Sequence, residues 1–160
     1  MSAKILEVKK ESCPAVRLVG KRYDASPDWG QWWANDWFAK LETNPRHPFN
    51  GDAYIGAVRV TEGRPERWIG MFFPEDATVP EGFEYVDIPP TDYAVCYLCA
   101  PENSSDFYTM ETHEMCLNAL KAAGMTRRED DWCFERYQCP RFTTPDENGN
   151  VILDYGISVL

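Results

Sequence analysis

The sequence predicts an α+β domain: tandem strand-helix-strand-strand modules with pseudo-twofold symmetry, a joined antiparallel sheet and two main helices around a central cleft. Three observations carry this prediction. The chain has 160 residues, 44% of them hydrophobic, and a chain of that size can bury roughly 70% of its unfolded surface in one core, so a single domain over 1–160 is expected. Segments with strand and helix periodicity then follow in the same order twice. Finally, the half-modules 1–88 and 89–160 align at an offset of about 79 residues, which lays Ala15-Val16 over Ala94-Val95 and Tyr54-Ile55 over Cys133-Phe134. Neither half could cover both faces of its own short sheet, so the two should share one core and leave a groove where they meet.

The first half opens with a short strand, Ile5 to Val8, and a second strand region, Ala15 to Tyr23, rich in β-branched residues. Asp24 to Asp28 interrupts it. Ser26 is a suitable N-cap and Pro27 suits the first helical position, which predicts a helix through Leu41. Trp29, Trp33, Trp37 and Leu41 recur every fourth residue and Phe38 broadens the stripe. Two prolines and a glycine within Asn44 to Gly51 stop that helix. Strands are expected at Tyr54 to Val60 and Trp68 to Phe73, joined through Thr61 to Pro65, with the proline outside the ladder. Phe83 to Ile88 is a short strand, and Pro89-Pro90 marks the boundary between halves.

The second half repeats the plan. Tyr93 to Cys99 reads as a strand, and Ser104 or Ser105 caps a helix whose stripe is Phe107, Met110, Leu117 and Leu120. Gly124 supplies the stop. Strands Trp132 to Tyr137 and Val151 to Val159 flank the loop Pro140 to Asn150, where Asp146 to Gly149 forms a turn.

Bulk properties exclude several function classes. The net charge is −10 and the basic residues are scattered, so direct nucleic-acid binding is not expected, whereas a cationic ligand is electrostatically compatible. No segment approaches the roughly 20 apolar residues that span a bilayer, and Met1 to Lys10 lacks a signal-peptide core. The expectation is a cytoplasmic protein without a membrane partner. Cys13, Cys96, Cys99, Cys116, Cys133 and Cys139 are dispersed along the chain and read as thiols in a reducing compartment rather than as a disulfide framework.

The residue with the most chemistry is Glu135, in the run Asp130 to Tyr137. Strand alternation puts Cys133, Glu135 and Tyr137 on one face and Phe134 and Arg136 on the other. A carboxylate in a largely nonpolar strand faces solvent, is paired, or serves a ligand; a surface glutamate and a pocket carboxylate that neutralises a cation or acts as a base both fit. Trp32, Trp33, Trp68, Tyr97, Tyr137 and Tyr155 are the candidate ligand-binding rings, since flat rings can enclose a cationic or polycyclic guest. Core packing already accounts for Trp33, Trp37 and Phe38 through their spacing.

Other apparent motifs fail. Cys96 and Cys99 have CxxC spacing, but on a strand they point to opposite sides and no second pair completes a zinc set. His113-Glu114 begins a zincin motif that Leu117 breaks. His47 has no adjacent triad partners, the glycines form no phosphate loop, and Glu111 with Glu114 establishes no acid/base pair. No cofactor or metal is expected.

The stretch Phe83 to Tyr97, followed by a helix, Trp132 to Tyr137 and Asn150 to Tyr155, resembles the GyrI-like small-molecule-binding family, related to the effector-binding domains of AraC- and MerR-type transcription regulators. The resemblance extends over nearly the whole chain. It implies a tandem module around a central cleft that binds hydrophobic, aromatic or cationic compounds, for sequestration or for toxin or drug resistance, with a glutamate on the strand after the second helix touching the ligand. That glutamate is Glu135. Some relatives hydrolyse cyclopropane-containing DNA-alkylating compounds; in such an enzyme Glu135 would serve water, and Tyr137 or Tyr155 the departing oxygen. A protein-interaction role on a basic partner such as a DNA gyrase is a third reading. No helix-turn-helix segment is expected before the domain, which departs from the regulator pattern.

Overall fold

The computed structural model describes residues 3–160. Its strands are β1 (Lys4–Cys13), β2 (Val16–Tyr23), β3 (Tyr54–Thr61), β4 (Arg64–Pro74), β5 (Glu84–Ile88), β6 (Thr91–Pro101), β7 (Cys133–Tyr137) and β8 (Asn150–Val159). The helices are α1 (Trp29–Ala34), α2 (Trp37–Leu41) and α3 (Met110–Ala122), with a 3₁₀ turn at Ser105–Tyr108. All eight strands form one open antiparallel sheet in the order β1-β6-β8-β7-β3-β4-β2-β5.

That order is a mirror about the β3·β7 seam. Reading outward gives β3-β4-β2 one way and β7-β8-β6 the other, and each triplet is traced in the chain as strand, helix, strand, strand. The strands preceding the triplets cross over. β1 precedes β2 yet pairs with β6, while β5 precedes β6 yet pairs with β2. Each side of the sheet therefore receives its edge strand from the other, which ties the two sides into one unit.

At the seam, Tyr54 pairs with Tyr137, Gly56 with Glu135 and Val58 with Cys133. Because strand side chains alternate, these residues share one face. On that face, Val19, Ile69, Met71 and Phe73 lie beneath Trp32, Phe38 and Leu41 of the α1–α2 segment. On the far side of the seam, Cys96, Leu98, Leu153 and Ile157 lie beneath Phe107 of the 3₁₀ turn and Cys116 and Leu120 of α3. Glu135 stands between these two cores. The opposite face holds a third, including Leu18, Ile55, Trp68, Phe72, Tyr93 and Phe134. Phe49, from the loop between α2 and β3, packs into it with its ring 5.6 Å from Phe134 and 5.8 Å from Phe72. Neighbouring Asn50 is fully buried, and its amide is satisfied by Phe72 N–H and by the carbonyls of Gly51 and Ala53.

Every expected strand is present, and most are longer than predicted. The first helix differs more. It is two short helices, because Asp36 adopts a left-handed φ of 52°, and the break resets the helical phase. Trp32, Phe38 and Leu41 are buried, whereas Trp33 is 58% exposed, so the fourfold spacing of tryptophans does not mark the core stripe. The N-cap is Asp28, which accepts from Gln31 N–H at 3.1 Å, not Ser26. Pro65 lies within β4 opposite Val60, since the reversal is completed by Glu62 and Gly63 at positive φ, as a two-residue hairpin requires. Met110 is 70% exposed at the start of α3, whose buried stripe is Thr112, Cys116 and Leu120.

Candidate functional site

Register explains why a carboxylate can occupy the middle of the sheet. Glu135 is flanked on its face by Gly56 of β3 and by Tyr155 of β8. A Cβ on Gly56 would stand 2.9 Å from Glu135 Oε1 and 3.2 Å from Trp29 Cζ2, so the bare glycine is what lets the carboxylate and the indole meet there. Trp29, half-buried at the start of α1, also sets its ring edge-on to Tyr137, with centroids 5.3 Å apart.

Glu135 receives one hydrogen bond, from Tyr137 O–H to Oε1 at 2.9 Å. Tyr137 Oη also lies 3.3 Å from Tyr108 Oη. A phenol has one proton, so while Tyr137 donates to Glu135 the Tyr108 hydroxyl donates to Tyr137. Among the described residues no lysine, arginine or histidine forms an ion pair with Glu135. Burial therefore dominates and lifts its pKa to about 7, against the lowering effect of the Tyr137 hydrogen bond.

The neighbouring carboxylate on the reverse face is handled in the opposite way. Asp154 is fully buried and accepts from Arg136 Nε at 2.7 Å and Arg141 Nε at 2.7 Å. Arg136 continues to Glu11 and to the carbonyl of Phe49. Asp154 is thus a structural anion with its countercharge built in, whereas Glu135 has none.

On the other flank of Glu135, Tyr155 Oη and His113 Nδ1 are 2.6 Å apart. Burial lowers the His113 pKa, since it disfavours the charged imidazolium. Aromatic rings extend the wall away from the seam: Phe38 stacks on Tyr54 at 3.7 Å, Trp33 lies 5.4 Å from Tyr54, and Phe142 lies 4.8 Å from Tyr137. Beside Tyr108 the surface sinks into a groove of about 560 Å³ lined in part by Phe107, Tyr108 and Phe142. Tyr108 joins this groove to the hydrogen-bonded chain that ends at Glu135, which is not itself among the groove's lining residues.

Of the residues singled out from sequence, the structure brings Glu135, Tyr137 and Tyr155 together, with Trp33 on the exposed rim of the aromatic wall. It does not bring the others. Trp32 is fully buried beneath α2, with its N–H 3.1 Å from Tyr23 Oη. Trp68 and Tyr97 belong to the reverse face, where Trp68 donates to Glu66 and Tyr97 to Glu11. Trp29, Tyr54, Tyr108 and His113 were missed. His113 was within reach of sequence reasoning, because it precedes Cys116 by three and Leu120 by seven residues and so shares their face of α3; nothing local marks Tyr108.

Three solved structures share this architecture. SAV2435 bound to tetraphenylphosphonium aligns with a TM-score of 0.65 at 15% identity, over 97% of this chain and 94% of that one. A Staphylococcus aureus MU50 protein aligns at 0.60 and 15% identity, over 96% and 97% of the two chains. The C-terminal domain of EcmrR aligns at 0.59 and 8% identity, over 96% and 97%. The chain shares the fold of these three proteins. No family model and no curated protein sequence matches the chain. Among the described residues, no helix is long and apolar enough to cross a membrane. No cluster of three or more His, Cys, Asp or Glu suited to a metal ion occurs among the described residues.

Proposed function

We propose that the chain binds a lipophilic organic cation at the β3·β7 seam, with Glu135 supplying the countercharge and Trp29, Tyr137 and Tyr155 the aromatic contacts. The observation that carries this reading is that, among the described residues, no countercharge pairs with a carboxylate set among rings, beside another carboxylate that has two arginines. Leaving such a group unpaired costs free energy, and a bound cation offsets that cost; the ring faces add cation–π attraction. The tetraphenylphosphonium held by the similarly folded SAV2435 supports the choice of ligand class. Sequestration or toxin and drug resistance is the role that such binding would serve, in the cytoplasm. The mirrored strand order supports reading the chain as one domain of two half-modules, 1–88 and 89–160.

Calorimetry with tetraphenylphosphonium and with neutral triphenylphosphine oxide tests the proposal. Glu135→Gln is expected to weaken the cation by about tenfold or more and to spare the neutral compound. Equal weakening of both, or of neither, would reject the electrostatic role.

A second reading has its own observation. A carboxylate with a pKa of about 7 is suited to general-base work at neutral pH, and Tyr137 and Tyr155 flank it. Glu135 would then take a proton from water as the water oxygen bonds to a strained cyclopropane carbon. The ring carbon–carbon bond breaks, and its electron pair passes to a conjugated carbonyl oxygen of the compound. That oxygen is hydrogen-bonded by Tyr137 or Tyr155 and takes up a proton from solvent, so that one water is added overall. Mass spectrometry for a product heavier by one water distinguishes turnover from sequestration; intact compound after many equivalents would exclude hydrolysis of that compound.

A further inference from the structure

The groove beside Tyr108 is not used by the Glu135 reading, yet two of its lining residues, Tyr108 and Phe142, pack against Tyr137 at the seam. Its lining includes Phe107, Tyr108, Phe142 and Val151, with Glu102 and Thr143 among the polar residues. A volume of about 560 Å³ lies within the range typical of small-molecule sites, and the mixture of apolar walls with a few polar groups is also typical. Two contacts connect it to the seam: Tyr108 Oη is 3.3 Å from Tyr137 Oη, and the ring of Phe142 is 4.8 Å from that of Tyr137. Its lining contains no lysine or arginine and one carboxylate, so an anionic guest is disfavoured.

We propose that this groove is a second subsite of the same binding region, which takes the apolar tail of an amphiphilic cation whose head is held at Glu135. The proposal rests on reading Glu135 as a cation seat, and it narrows the ligand class from compact cations to cations with an aliphatic or aromatic extension. Tyr137 and Tyr108 would form the threshold between the two parts, with their rings against the linker, the Tyr137 hydroxyl on Glu135 and the Tyr108 hydroxyl on Tyr137.

The test compares methyltriphenylphosphonium with decyltriphenylphosphonium in the intact protein and in Thr143→Trp, a change at an exposed position of the groove wall. In the unmodified protein the decyl compound is expected to bind about tenfold or more tighter, because burying methylene groups is favourable. Thr143→Trp should abolish that gain and leave the methyl compound unaffected. An equal gain in both proteins, or none in either, would overturn the subsite.

The neutral fluorophore N-phenyl-1-naphthylamine tests the groove apart from the cation seat. Its emission should rise with the unmodified protein and with Glu135→Gln alike, and fall back with Thr143→Trp. If neither phosphonium binds while the fluorophore behaves as expected, the cation seat fails and the two-part ligand fails with it, although the groove stands as an apolar site. If the phosphonium heads bind through Glu135 but the fluorophore ignores Thr143→Trp, the subsite alone is overturned. Sedimentation showing that Thr143→Trp dissociates a dimer would assign the groove to a second copy of the chain and also overturn the proposal.

Discussion

Glu135 and Gly56 face each other across the seam between β7 and β3, and a Cβ on Gly56 would stand 2.9 Å from the Glu135 carboxylate. They are also the residues that superpose when the two halves of the sequence are aligned, so the mirror of the sheet passes between a side chain on one strand and bare backbone on the other. One carboxylate, not two, therefore stands at this pair of mirrored positions.

Gly56→Ala is expected to push Glu135 and the Trp29 indole apart. The contacts leave too little room for a methyl group, and overpacking of this kind costs about 1–3 kcal/mol. Thermal unfolding should show a lower midpoint, and tetraphenylphosphonium affinity should fall with it. An unchanged midpoint together with unchanged affinity would mean that the seat is looser than its geometry indicates.

Binding of a permanent cation should depend on pH through Glu135. Its pKa is raised from 4.5 to about 7, so affinity should fall by up to about tenfold per unit as pH drops below about 7. Stability runs the other way. Because the folded carboxyl holds its proton more tightly than the unfolded one, the fold is favoured at low pH and loses stability as pH rises from about 4.5 to about 7, by at most about 3 kcal/mol. Glu135→Gln should remove both dependences. Urea titrations of the two proteins across that window would reveal the stability effect, and parallel curves would contradict it.

Tyr137→Phe deletes the hydrogen bond that stabilises the ionised form of Glu135. The midpoint of the pH-dependent binding curve should move to higher pH than in the unmodified protein. A midpoint that stays in place would show that the tyrosine contributes its ring alone.

The reverse face makes a contrasting prediction. Asp154→Ala leaves Arg136, 5% exposed, without its principal buried partner, which typically costs about 3–5 kcal/mol. Chemical denaturation should register the loss, and a change below about 1 kcal/mol would indicate that Glu11 suffices as a counterion.

Trp68→Phe and Tyr97→Phe should leave the affinity for organic cations unchanged, because both side chains belong to the face opposite Glu135. Loss of binding in either variant, with unaltered stability, would relocate the site to that face.

Much of this was legible without coordinates. Strand alternation is a local property, so Glu135 and Tyr137 had to share a side, and the apolar runs marked all eight strands. The sharing of α3's inner face by His113 was legible too, and was overlooked. Other features depend on distant parts of the chain. The αL residue at Asp36 rotated the tryptophans out of the phase that a continuous helix would impose, and periodicity alone cannot signal such a break.

The amino-acid order by itself determined the α+β plan, its internal echo and the parity of each strand residue, because these follow from side-chain periodicity over a few neighbours. Only the folded chain decided that Gly56 lies opposite Glu135, that Trp29 packs over Gly56, and that Trp68 and Tyr97 turn away. Those outcomes rest on registers between strands far apart in sequence, and a register is selected by how two buried faces pack together, which no single segment encodes.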